Sequence, residues 1–238
     1  MAFTMAYTAE SFVGKVRRSW GRNLLGAVVY GSAAGDDYDP KWSDINLLLV
    51  VKDMEASGTP ATAKLFHKWT RGGNPPPMVM DPDFIRRSAD TFPIEWLDMK
   101  EKHRVVFGRD PLRSVRTDRK SLRLELEREL KVNLLRLQGK HRQVAGRPGE
   151  VRELMVLSSS TFLILFRACL RLLGTRPLPP KGGAAGAVAT RLRVDASAFG
   201  FIDRLRARER EAREADPEPW MRRYVTCLRS VIRKVETL

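Results

Sequence analysis

Two polar residues stand where an apolar strand should begin. The run Asp44-Ile45-Asn46-Leu47-Leu48-Leu49-Val50-Val51 opens with Asp44 and Asn46, and side chains two apart on a strand point to one face. Oxygen-bearing groups that project together from a buried strand lose hydration unless something pairs with them. A hard divalent cation is the natural partner of such ligands. Upstream, a second apolar run, Val28-Val29-Tyr30, stops at Gly31-Ser32. Glycine there lets the backbone approach a phosphate closely, and Ser32 adds a hydroxyl. Between Ser32 and Asp44 lie eleven residues, among them Asp36, Asp37 and Asp39. These acids either supplement the site or simply solvate a loop beside Pro40.

The elements that must hold this pair can be read from periodicity. Thr8 is placed to cap a helix that buries Phe12, Val13 and Val16 and ends near Gly21. Residues 24–30 and 45–51 read as buried strands, residues 77–80 as a short third strand and residues 92–99 as a fourth, followed by 104–107. Residues 60–70 read as a helix closing at Gly72-Gly73. Beyond about residue 116 the pattern becomes helical. Leu122, Leu126, Leu130, Leu134 and Leu137 recur at helical spacing, Gly146 to Gly149 breaks that helix, and residues 150–173 form a second. Shorter helices follow near 187–192 and 196–213, and a last one opens after Asp216-Pro217. The fold class predicted is α+β: a small mixed sheet with flanking helices in residues 1–116, then an α-helical bundle in residues 117–238.

Composition narrows the classes of function. The 238 residues carry 43 Lys plus Arg against 28 Asp plus Glu, a net charge of +15, with 43% apolar residues. That apolar fraction excludes a disordered chain. Two cysteines and three histidines exclude a disulfide framework and argue against a dedicated zinc site. The N-terminal residues lack the pattern of a secretory signal, and Arg167 and Arg171 interrupt the most apolar stretch, so it reads as a buried helix rather than a bilayer span. A cytoplasmic protein without a membrane partner is the expectation. The charge is uneven: residues 1–116 hold 17 basic and 14 acidic residues, whereas residues 117–238 hold 26 and 14. A half with a net charge of +12 is suited to a polyanion, nucleic acid included, or to the wall of a cleft that admits a triphosphate. The Arg-rich run 204–213 lacks the interleaved aromatics of a base-stacking platform.

Gly31-Ser32, the spacer and Asp44-Ile45-Asn46 resemble the signature of the nucleotidyltransferase superfamily, which includes DNA polymerase beta and the aminoglycoside nucleotidyltransferases. Three later segments are similar to a group of bacterial nucleotidyltransferase-domain proteins: Pro77 to Met80, Phe92-Pro93-Ile94-Glu95-Trp96-Leu97-Asp98-Met99, and Val106-Phe107-Gly108-Arg109-Asp110-Pro111. The resemblance covers residues 24–116 and implies transfer of a nucleoside monophosphate from a nucleoside triphosphate to an acceptor hydroxyl on a small molecule, protein or RNA. It implies two magnesium ions held by carboxylates, with Gly31 and Ser32 cradling phosphates. Asp44 would bridge both ions, Asn46 would contact the nucleotide-side ion, and a third acid would come from Glu95 or Asp98. Glu95 is favoured because it matches the family's third position. Asn46 departs from the signature, which has a carboxylate there. A degenerate module that binds a nucleotide or a partner without catalysis is therefore the alternative, and a basic nucleic-acid-binding protein is a further one.

Overall fold

The Thr8 hydroxyl accepts a hydrogen bond from the Ser11 amide at 3.2 Å and so starts α1 (Ala9–Trp20). The helix stops at Gly21, whose φ of +54° suits glycine. In this computed structural model, which describes residues 8–35 and 44–238, the chain continues through β1 (Leu24–Tyr30), β2 (Asn46–Val51), α2 (Pro60–Arg71), β3 (Met78–Met80), α3 (Pro82–Arg87), α4 (Pro93–Glu101) and β4 (His103–Gly108). Asp36, Asp37 and Asp39 lie outside the described residues.

The strands form one mixed sheet in the order β3-β2-β1-β4. β1 pairs antiparallel with both β2 and β4, and β2 pairs parallel with β3. Alternation gives the sheet two apolar faces. Ala27, Val29, Leu47, Leu49 and Val51 pack with Phe12, Val16 and Trp20 of α1 and Trp69 of α2. Val28, Leu48 and Val50 pack with Ile85 of α3, Trp96 and Met99 of α4, and Leu112 and Val115 beyond β4. Each side chain so buried contributes roughly 1.5–3 kcal/mol.

Residues 92–99 are not a strand. Pro93 occupies the first position of α4, where its missing N–H costs nothing, and Trp96 N–H donates to the Phe92 carbonyl at 3.1 Å. Ile94, Trp96 and Met99 are all buried, so the alternating apolar pattern reflects a short helix enclosed on several sides. α3, which the periodicity does not announce, is fixed by Asp81: its carboxylate accepts from the Phe84 amide at 2.7 Å.

The chain divides into two compact units, Met1–Asp118 and Arg119–Leu238. The second contains α5 (Arg119–Val144), α6 (Pro148–Leu172), α7 (Ala184–Leu192), α8 (Ser197–Arg206), α9 (Arg210–Glu214) and α10 (Glu218–Glu236). The helix expected over 196–213 is two helices, because Arg208 adopts a φ of +60° between them. α6 is long and apolar enough to cross a membrane, yet half of its most apolar window is buried inside the protein. It is the core helix of this unit, with Phe162, Phe166, Cys169 and Leu170 among its buried residues.

The corner where β1 meets β4 sets a stringent backbone requirement. Gly108 has a φ of +74°, and a Cβ there would lie 2.1 Å from the Leu25 carbonyl oxygen. Gly73 has a similar φ of +89° with open space around it. Gly108→Ala is therefore expected to cost at least about 2 kcal/mol, and Gly73→Ala about 1 kcal/mol from backbone strain alone. Urea denaturation of the two variants measures the difference, and equal costs would contradict the β1–β4 pairing described.

Candidate functional site

β1 ends at Tyr30, and the chain turns sharply. Gly31 takes a φ of +77° and begins a single 3₁₀ turn, Gly31–Ala34. The Gly31 N–H donates to the carbonyl of Lys102 at 2.9 Å, and Gly35 N–H donates to the Ser32 carbonyl at 3.2 Å. Lys102 closes α4 and leads into β4. Its side chain also follows the turn: Cδ and Nζ lie 3.6 and 3.7 Å from the place a Gly35 Cβ would occupy. Main chain and ammonium of one residue thus meet the two ends of the same turn.

Three polar residues cross the sheet in one row beside it. Tyr30 is directly opposite Asn46 on β2 and His103 on β4. Directly opposed residues share a face, and alternation from Val28, Leu48 and Val50 puts this row on the α3–α4 face. The Asn46 amide nitrogen lies 3.5 Å from the position of a Gly31 Cβ, so a side chain at 31 would press on it. The Tyr30 hydroxyl donates to the Met78 sulfur at 3.0 Å, and burial pushes its pKa up. His103 places Nδ1 3.2 Å from the Lys100 carbonyl and Nε2 3.3 Å from the Asp110 carboxylate. Both neighbours are acceptors, so one ring proton satisfies one of them and two satisfy both. Asn74 steadies the start of β2, its side-chain oxygen accepting from Ile45 N–H at 3.1 Å.

Of the residues singled out in the sequence, Gly31, Ser32 and Asn46 come together at one end of β1 and β2. Asp44 precedes β2 by two residues and is exposed. Glu95 is placed differently from the expectation. It lies on the first turn of α4, exposed, seven residues before Lys102, which is about 10 Å along a helix axis. Glu95 and Asp98 are three apart on a helix rather than on a strand, so both lie near one face. Lys102, Tyr30 and Asn74 were not singled out from the sequence. Their roles depend on pairings between distant segments.

The donor set tests whether two divalent ions fit. Asp44 offers one carboxylate and Asn46 a neutral amide; β3 and β4 carry no acid. Among the described residues, no group of three or more His, Cys, Asp or Glu could hold a metal ion. One carboxylate and one amide fall short of what two dications require. The described residues therefore do not fit a two-ion centre.

No protein-family model matches the chain. No curated protein matches it either. Among solved structures, the fold is similar to the crystal structure of spectinomycin adenyltransferase AAD(9) from Enterococcus faecialis with ATP and spectinomycin. The TM-score is 0.52 and the identity 13%, over 94% of this chain and 97% of that one. The protein thus has the α+β nucleotidyltransferase fold followed by a helical region.

Proposed function

We propose that the first unit binds a nucleoside triphosphate, with its phosphates on the Gly31–Ser32 turn and matched in charge by the protein rather than by a pair of metal ions. The observation that carries this reading is the double engagement of Lys102: its carbonyl fixes Gly31 while its ammonium lies along the turn at Gly35. Lysine serves phosphate as a compact point charge. Gly31 at positive φ opens a succession of backbone N–H groups of the kind that gathers anions. Asn46 fits the same scheme. A carboxylate at this position would repel phosphate unless a cation stood between them, whereas an amide N–H donates to a phosphate oxygen directly. The nitrogen is also the atom that faces Gly31.

Titration with ATP in excess EDTA tests this by calorimetry. The native protein should bind ATP without magnesium, and Lys102→Ala should weaken binding at least tenfold. Loss of ATP binding in EDTA would overturn the reading.

A second reading is transfer of a nucleoside monophosphate from the triphosphate to an acceptor hydroxyl, for which the sequence resemblance would place a divalent metal at Asp44, Asn46 and Glu95, a donor set that the described residues do not bring together. It is favoured by one observation: the solved neighbour is an adenyltransferase crystallised with ATP and spectinomycin, and the likeness extends over nearly the whole of both chains. It predicts magnesium-dependent pyrophosphate release and transfer of α-labelled nucleotide to a small molecule, a protein or RNA. Asn46→Asp separates the two readings. Under direct phosphate binding it weakens ATP affinity in EDTA, with magnesium restoring it. Under metal-dependent transfer it raises turnover in magnesium, and Asp44→Ala abolishes turnover.

A further inference from the structure

At the opposite end of the same sheet, away from the Gly31–Ser32 turn, lies a cavity of about 480 Å³. Its position follows from the glycine corner. Gly26 pairs with Gly108, and the β1–β4 register shifts just beyond, between Ala27 and Val28. Gly26 and Gly108 thus line the cavity with main chain, and backbone carbonyls crowd the position of a Cβ at either. Val50 and Ile85, both almost fully buried, form apolar walls. Leu25 contributes another and is 42% exposed, an apolar side chain left partly in water beside an open space.

One charge breaks the apolar lining. Arg109, which follows Gly108, lines the cavity, and no acidic residue does. Several arginines of this unit are engaged elsewhere: Arg86 and Arg87 pair with Asp83, Arg104 pairs with Glu10 at 2.7 Å, and Arg116 donates to main-chain carbonyls. The Arg109 guanidinium makes no ion pair with any described residue. Ser114 adds a hydroxyl at the same rim. A cavity of this size with mostly apolar walls and few polar groups is the ordinary form of a small-molecule site. A planar guanidinium recognises a carboxylate through two parallel hydrogen bonds.

We infer that this cavity binds a small organic monocarboxylic acid. Its compact apolar body sits against Leu25, Val50 and Ile85, and its carboxylate pairs with Arg109. The site shares no residue with the proposed nucleotide site and does not depend on it.

The test uses the whole chain and two probes with the same carbon skeleton, 3-phenylpropanoate, which ends in a carboxylate, and 3-phenylpropanol, which ends in a neutral hydroxyl. Each is followed by amide chemical shifts and by calorimetry. The acid should shift the Gly26, Gly108 and Arg109 amides saturably and bind at least tenfold more tightly than the alcohol. Arg109→Ala should remove that preference while leaving alcohol binding unchanged, and Arg109→Lys should restore part of it. Ser114→Trp, which fills the rim, should abolish binding of both, with circular dichroism confirming that each variant is folded. The inference is overturned if these amides do not shift with the acid. Equal affinity for acid and alcohol, or an acid affinity indifferent to Arg109→Ala, overturns it equally.

Discussion

The hydrogen bond from Gly31 N–H to the Lys102 carbonyl joins the two halves of the candidate site, and much of the first unit exists to hold it. β1 is paired on both edges, by β2 and by β4, and is buried on both faces, by α1 and α2 on one side and α3 and α4 on the other. Such a strand has little freedom to shift, because a one-residue slip would exchange its two apolar faces. The end of β1 is therefore fixed, and with it the place where Gly31 must turn. α4 ends at the same place because β4 pairs with β1 through Tyr30 and His103. The bond at Lys102 is the point where those constraints meet.

That arrangement also bears on the amide at position 46, where the proposed reading makes a carboxylate differ by more than one charge. A two-ion centre gathers negative side chains around cations, and the phosphates come to the cations. Here the turn already has an ammonium beside it, and Asn46 presents an amide nitrogen to Gly31. On the proposed reading, a second carboxylate in place of that amide would sit beside the same phosphate oxygens that Lys102 would attract. The amide and the lysine are thus consistent with each other, in a way that neither would be with a full set of acids.

How much of this can be read in the sequence depends on whether the signal is local. β1 is legible to the residue because it is an apolar run bounded by Gly31, and α1 because Thr8 caps it and Phe12, Val13 and Val16 lie on one face. The Gly31–Ser32 turn and the polar start of β2 are legible for the same reason. α4 is not: its buried residues Pro93, Ile94, Trp96 and Met99 fall around the helix rather than along one side, so it carries almost no one-sided pattern, and alternation suggests a strand. The error moved Glu95 onto a sheet it does not belong to. The same loss of locality hides Lys102, whose importance comes from a pairing with a turn some seventy residues earlier and not from anything beside it.

The positive charge of the second unit has a structural use that the composition conceals. Arg119 and Arg191 donate to the carbonyls of Leu172 and Leu173, the latter at 2.8 Å, and so close the C-terminus of α6 from two sides. A helix C-terminus exposes unpaired carbonyls and carries partial negative charge, so arginine satisfies both demands. Arg152 does similar work on the Ala215 carbonyl at 2.9 Å, just past α9. The aromatic residues follow the same logic. Trp220 stacks on Phe201 at 4.7 Å with the rings 3° from parallel, and the Arg223 guanidinium lies 5.0 Å from its centroid. Those ring surfaces serve packing within the unit. Carbonyls accept hydrogen bonds without adding formal negative charge, so arginines that cap helices raise the net charge without a counter-ion in the sequence. Arg119, Arg152 and Arg191 account in this way for part of the excess of 26 basic over 14 acidic residues in this half, and the rest of the charge stays available to a polyanion.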